Sequence, residues 1–239
     1  MRVGDVFKTV SAGEITLLEI ISRERVLISF EDGVTKEIPR KGLYDGKVKN
    51  QYQPSICGVG YLGVGIKPSY NSIQTPESNL WRGMIVRCYS SNTKQESYKK
   101  YSVCEEWHNF QNFAEWCYQV VGFGNKGWEL DKDLMIPHNK VYSPDACVFL
   151  PKSINQAIGR YLEAPDFVGV KFKPKTGYYR VACYDKQKYK IMTRNFKNED
   201  DAKSYYMSNR FNRLEVELNL YRELLCPKAV SRIEDIIKF

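Results

Sequence analysis

Between Arg160 and Arg194 the chain places nine basic residues (Arg160, Lys171, Lys173, Lys175, Arg180, Lys186, Lys188, Lys190, Arg194) against three acidic ones (Glu163, Asp166, Asp185), and 9 minus 3 leaves a local charge of +6. Side chains of that kind at that density neutralise a polyanion. The rest of the titratable inventory narrows the chemistry further. Seven cysteines (Cys57, Cys88, Cys104, Cys117, Cys147, Cys183, Cys226) are scattered with no C-x-x-C pair, so neither a zinc knuckle nor a redox motif is expected. With only two histidines, His108 and His138, a metal would have to be held by carboxylate and amide oxygens. Such ligands suit Mg²⁺, with Mn²⁺ as a substitute, and not zinc.

The whole 239-residue chain carries Lys+Arg 36 against Asp+Glu 28, a net charge of +8. Hydrophobic residues make up 43%, enough for packed cores and too much for a disordered chain. No window approaches the roughly 18 apolar residues of a membrane span, and MRVGDVFKTV lacks the apolar core of a secretory signal. A cytoplasmic protein with no membrane partner is the expectation.

The elements that must position these residues fall into three modules of an α+β protein. Residues 1–67 read as short alternating strands, Ile15 to Ile20 and Arg25 to Phe30, broken by turns such as Glu31-Asp32-Gly33. Several such strands in about 50 positions predict a small β-barrel of Tudor or KOW type. Gly58, Gly60, Gly63 and Gly65 follow, but no strand leads into them and no helix opens after them, so they read as a flexible linker and not a phosphate loop.

In residues 71–160, Trp81, Met84, Ile85 and Cys88, then Phe110, Phe113, Ala114 and Cys117, form apolar helical stripes, and the four tryptophans there read as core. Strand, loop and strand over Trp128 to Leu134 and Tyr142 to Pro151, then a helix start capped by Ser153, give a ββα outline. Residues 165–239 predict three strands, Phe167 to Lys173, Tyr178 to Tyr184 and Lys188 to Arg194. A helix follows Asn198 or Asp200 and carries apolar residues at helical intervals out to Leu225.

Period-two alternation separates the faces of those strands. Val168, Val170, Phe172, Tyr179, Val181, Cys183, Tyr189, Ile191 and Thr193 are expected to cover the helix. The opposite face would then present Lys171, Lys173, Arg180, Ala182, Tyr184, Lys188, Lys190, Met192 and Arg194, a cationic surface of a kind that fits the DNA major groove.

Gly169-Val170-Lys171, Tyr179 to Cys183, Asn195-Phe196 and Glu199-Asp200-Asp201-Ala202 resemble the Apetala or ethylene-response-factor type of DNA-binding domain. The resemblance implies that Lys171, Lys173, Arg180, Tyr184, Lys188, Lys190 and Arg194 contact double-stranded DNA. The tryptophans common on the plant strands are missing, so base specificity does not carry over.

Glu129 to Leu134, Asn139 to Cys147 and Pro151 to Asn155 resemble phage-borne HNH homing endonucleases, and Trp81, Met84, Arg87 to Tyr89 and Val103 to Trp107 belong to the same group. By that resemblance Asp131 and Asn155 hold a divalent ion. The position of the general base is Lys132, and the residue that orients the base is Ala146; an ordinary lysine, protonated at neutral pH, cannot accept a proton. Asp133, His138 or His108 could supply a base instead, or Lys132 itself if desolvated. The resemblance therefore implies a phage-type DNA-binding protein acting in an infected bacterial host. It would be either a Mg²⁺-dependent endonuclease that hydrolyses phosphodiesters or a catalytically silent regulator or anti-host factor. The N-terminal module could meet a host protein, and the oligomeric state is not encoded in these motifs.

Overall fold

Alternating apolar residues build the first sheet. Strands β1 (Val6–Lys8), β2 (Glu14–Ile20), β3 (Arg25–Phe30) and β4 (Thr35–Pro39) pair antiparallel in that order. Ile15, Leu17, Val26, Ile28, Phe30 and Ile38 share one buried face. That face is covered by Leu43 from helix α1 (Lys41–Asp45) and by Val48. β1 and β4 do not pair, so the sheet is an open meander and not the closed barrel expected. A lid of one helical turn removes the need for closure. The computed structural model describes residues 1–91, 100–162 and 169–238, and forms two compact units, Met1–Glu115 and Trp116–Phe239.

The glycine-rich stretch of the first unit is not a free linker. Ser55 and Ile56 both donate their amides to the Gly60 carbonyl, and Tyr61 exchanges backbone bonds with His108 and Phe110. Gln111 stitches the remainder. Its amide nitrogen donates to the Leu62 and Ile66 carbonyls at 2.6 and 3.2 Å, and its oxygen accepts from the Ile66 N–H at 2.6 Å. A methyl group on Gly63 or Gly65, both at positive φ, would lie within 2.8 Å of Gln111 side-chain atoms. After strands β5 (Ser69–Tyr70) and β6 (Ile73–Gln74), helix α2 (Pro76–Tyr89) opens with Thr75 accepting the Ser78 N–H and Pro76 in the first turn. Strand β7 (Ser102–Val103) and helix α3 (Phe110–Gln119) follow. Trp81 and Trp107 are fully buried, and the indole of Trp81 donates to the Trp107 carbonyl at 2.7 Å, so these two rings are core.

The second unit contains strands β8 (Trp128–Asp131), β9 (Val141–Tyr142) and β10 (Val148–Pro151), then helix α4 (Lys152–Leu162). β8 and β10 pair antiparallel, Asp131 opposite Val148 and Glu129 opposite Leu150. Strands β11 (Val170–Lys173), β12 (Tyr178–Asp185) and β13 (Lys190–Phe196) form an antiparallel sheet in that order. Helices α5 (Glu199–Asn209), α6 (Asn212–Tyr221) and α7 (Pro227–Lys238) complete the chain. Val168, and the module boundary expected near residue 165, lie outside the described residues.

The long C-terminal helix expected from the sequence is broken at Arg210 and Phe211, and the break separates two jobs. α5 covers the sheet, burying Ala202 against Val181 and Cys183. Gly169 permits this, since a Cβ there would sit 2.2 Å from the Tyr206 ring. α6 and α7 instead cover the β8–β10–α4 element. Phe211, Leu214, Leu218, Leu225, Ala229 and Ile233 pack with Leu134, Val148, Leu150, Ile154 and Ile158 in one core. α6 is also tied to the sheet, because Asn212 donates to the Tyr184 carbonyl at 2.9 Å and Glu215 pairs with Lys186. On its other side Ser153, at the start of α4, donates to Glu217 at 2.7 Å. One ten-residue helix thus touches both halves of the unit.

Candidate functional site

The acidic turn after β8 is organised by Asp131. Its Oδ1 accepts the N–H groups of Asp133 and Leu134 at 3.1 and 2.7 Å, capping the turn. The side chain is buried, and that burial pushes its carboxyl up from 3.8 to about 6, aided by the nearby Asp133 charge and opposed by the two N–H groups and Lys132. Alternation puts Glu129 on the same side of β8 as Asp131, facing α4. Asn155 meets Glu129 there, donating at 3.0 Å.

Lys132 is the unusual member. The residue is 5% exposed, and its ammonium donates to both Asp133 oxygens at 2.6 and 2.8 Å and to the Asn139 carbonyl at 3.1 Å. Three N–H groups thus meet three acceptors. Asn139 fastens the loop in return, donating to the Lys132 carbonyl at 3.1 Å. Asp133, expected as a base, serves as the carboxylate partner of this lysine. His138 is exposed on the same loop at φ 58. His108 lies in the first unit, bonded through Nε2 to the Val103 carbonyl and set edge-on to Tyr89. Ala146 is buried within a backbone turn from Ser143.

These donors do not fit a divalent ion as arranged. One Asp131 oxygen is engaged by two backbone amides, the Asn155 amide faces Glu129, and the cation against Asp133 is an ammonium. Among the described residues no three His, Cys, Asp or Glu side chains cluster as a metal site.

The second candidate surface is the side of the three-stranded sheet away from α5. Lys171 pairs with Arg180 and Lys173 with Tyr178 in register, placing all four on this open face with Ala182 and Tyr184. Lys171, Lys173 and Arg180 are exposed, as the sequence predicts. Strand β13 is oriented oppositely to the expectation. Arg194 pairs with Val181, Met192 with Cys183 and Lys190 with Asp185, so Lys190, Met192 and Arg194 share the side that meets α5. The Arg194 guanidinium lies 4.9 Å from the centroid of the Tyr205 ring. Lys188 lies in the β12–β13 turn, its N–H bonded to Asp185.

The physical reason for the reversal is parity: a one-residue change in where the strand is anchored exchanges its faces. Phe196 supplies the anchor, packing on Tyr205 at 5.3 Å with Tyr179 beside it in the same cluster. The residues that reach the open face from β13 are therefore Ile191, Thr193 and Asn195, none of them anticipated there. Met192 and Phe196, four apart and both apolar, were the signal in the sequence that could have fixed this parity. Glu129 could have been found by the same alternation, two residues before Asp131.

The nine open-face side chains include three cations and no carboxylate. Arg180 leans toward β13, its Nη2 lying 3.4 Å from the Thr193 hydroxyl. Comparison with family models, with curated proteins and with solved structures gives no match.

Proposed function

We propose that this chain binds double-stranded DNA through the open face of β11–β13, and that its β8–β10–α4 element is an HNH-type scaffold acting as support without cleaving. The observation that carries the reading is the carboxylate-free cationic face. Adjacent strands bearing one sign of charge repel unless an anion covers them. Three strands at about 4.8 Å spacing make a surface roughly 10 Å across, which fits a B-DNA major groove about 12 Å wide. The deep, narrow major groove of A-form RNA would not admit it. The resemblance of β11, β12 and the start of α5 to Apetala-type domains supports the same partner.

Silence at the scaffold is supported by Lys132. Where an HNH enzyme needs a base and an open metal position, this turn holds an ammonium saturated by Asp133 and Asn139. The reading is therefore of a regulator working by occupancy of DNA, its phage type resting on the HNH resemblance.

Two measurements on one preparation test the proposal. Binding of labelled duplex is expected to weaken steeply from 50 to 200 mM salt and to be lost in the Lys171→Glu/Arg180→Glu variant. Unchanged affinity of that variant would refute the interface. Supercoiled plasmid with Mg²⁺ or Mn²⁺ is expected to be bound and not relaxed. Relaxation that disappears with EDTA and with Asp131→Ala would show instead a working endonuclease.

A further inference from the structure

The open face is divided by strand. Its cationic edge, Lys171 and Lys173, lies on β11, whereas β13 contributes Ile191, Thr193 and Asn195 with no charge at all. Arg180 stands between them, opposite Asn195 in register and within 3.4 Å of the Thr193 hydroxyl. Ile191 is 59% exposed, an aliphatic side chain longer than the neighbouring Ala182 and held in water on this face.

Charge distribution and hydrogen-bonding capacity assign different tasks to the two edges. Lysines are flexible point charges, suited to phosphates whatever the base sequence. An asparagine amide presents one donor and one acceptor in a plane, the complement of adenine N7 and N6, and an arginine fork matches guanine N7 and O6. An exposed aliphatic side chain on such a face gains from the thymine methyl group. The sheet is anchored behind by α5 and at the far end of β12 by Asn212, so these side chains project from a rigid platform.

Resting on the DNA-binding reading, we propose that sequence is read on the β13 side of the face, with Asn195 of β13 and Arg180 of the adjoining β12 contacting base edges and Ile191 of β13 a thymine methyl, while Lys171 and Lys173 on β11 hold the phosphate backbone. The protein's ligand is then a duplex with a defined site containing adjacent A·T and G·C pairs, not DNA at large.

The test is selection of bound duplexes from a randomised pool by the full chain, by Asn195→Ala and by Lys171→Ala, with affinities then measured across salt for the selected and a scrambled duplex. The parent is expected to enrich a motif. Asn195→Ala is expected to lose preference at one or two adjacent positions, cutting discrimination about tenfold or more, with its salt slope unchanged. Lys171→Ala is expected to keep the motif, weaken both duplexes alike and lower the salt slope by about 1. Thermal unfolding of each variant verifies folding, and Asn195→Ser, which keeps a polar group at an exposed position, provides a second probe of the same contact. If the parent binds and enriches a motif that both Asn195 variants reproduce with undiminished discrimination, the assignment to β13 is wrong and the DNA reading survives. Binding by the parent with no motif enriched also overturns the assignment alone. A parent that binds no duplex overturns both.

Discussion

The ammonium of Lys132 lies 2.6 and 2.8 Å from the two carboxylate oxygens of its neighbour Asp133, with a side chain only 6% exposed. A lysine so placed is an internal cation: it does electrostatically, from within the chain, what a bound metal would do for an acidic turn. Removing it alone leaves Asp133 partly buried without its partner. Lys132→Met is expected to lower stability by about 2–4 kcal/mol, measured by urea unfolding, with most of the loss recovered in Lys132→Met/Asp133→Leu. Equal stability of the single variant and the parent would show the pair to be incidental.

Asp131 titrates in the opposite sense to a salt-bridged carboxylate. Its folded-state value, raised to about 6 by burial, exceeds the ordinary 3.8, so the folded protein holds this proton more tightly than the unfolded chain. Its contribution is full below about pH 4 and is lost as pH rises through about 6. Asp131→Asn keeps an oxygen for the Asp133 and Leu134 amides and removes the titration. With divalent ions chelated, the variant is expected to match the parent near pH 4 and to exceed it at pH 7.5 by about 2–3 kcal/mol. Parallel stability curves across this range would contradict the assignment.

Gln111, 7% exposed, makes three hydrogen bonds to the backbone of Leu62 and Ile66. Gln111→Leu strands those groups, with an expected loss of about 2–4 kcal/mol. Native-state hydrogen exchange should show faster exchange at Ile66. Protection there equal to the parent's would mean that the loop is held by other contacts.

Leu218 on α6 is 2% exposed in the core that also holds Leu150 and Ile154. Leu218→Ala is expected to cost about 2–5 kcal/mol in chemical unfolding. Because α6 also carries Asn212 and Glu215, exchange should quicken in β12 as well as in β10. A loss confined to β10 would separate the two halves energetically.

Much of the local structure was legible because the signals were local. The Trp81, Met84, Ile85, Cys88 stripe is buried on α2, and Phe110, Phe113, Ala114 and Cys117 are buried on α3. Asn198 caps α5 by accepting the Asp200 N–H, whereas Ser153, expected to cap α4, lies inside its first turn, the helix opening at Lys152, and donates to Glu217. The illegible parts depended on partners distant in sequence. The face of β13 is set by Phe196 meeting Tyr205 on α5, and within the strand only the spacing of Met192 and Phe196 hints at it against the competing alternation of Tyr189, Ile191 and Thr193. Gly63 and Gly65 looked like slack because their restraint, Gln111, stands more than 45 residues away. Closure of the N-terminal sheet was expected from strand count, and Leu43 made it unnecessary. At the acidic turn the residue types were visible, and Asp133 is the neighbour of Lys132, but the third acceptor of the ammonium, the Asn139 carbonyl, is brought in only by the folding of the loop.

The double attachment of α6 bears on how such a protein could be inherited in pieces. A recombination event that cut at the apparent seam near residue 165 and exchanged everything downstream would carry away Phe211, Leu214, Leu218, Ala229 and Ile233, the apolar cover of the β8–β10–α4 element. An incoming replacement would have to bring a matching pair of helices. A recipient of the sheet and α5 alone, residues 169–209, would gain a platform missing the Asn212 and Glu215 anchors. The heritable block in this half of the chain is therefore the β8–β10–α4 element and the three-stranded sheet together, exchanged whole or altered one side chain at a time on the exposed strands.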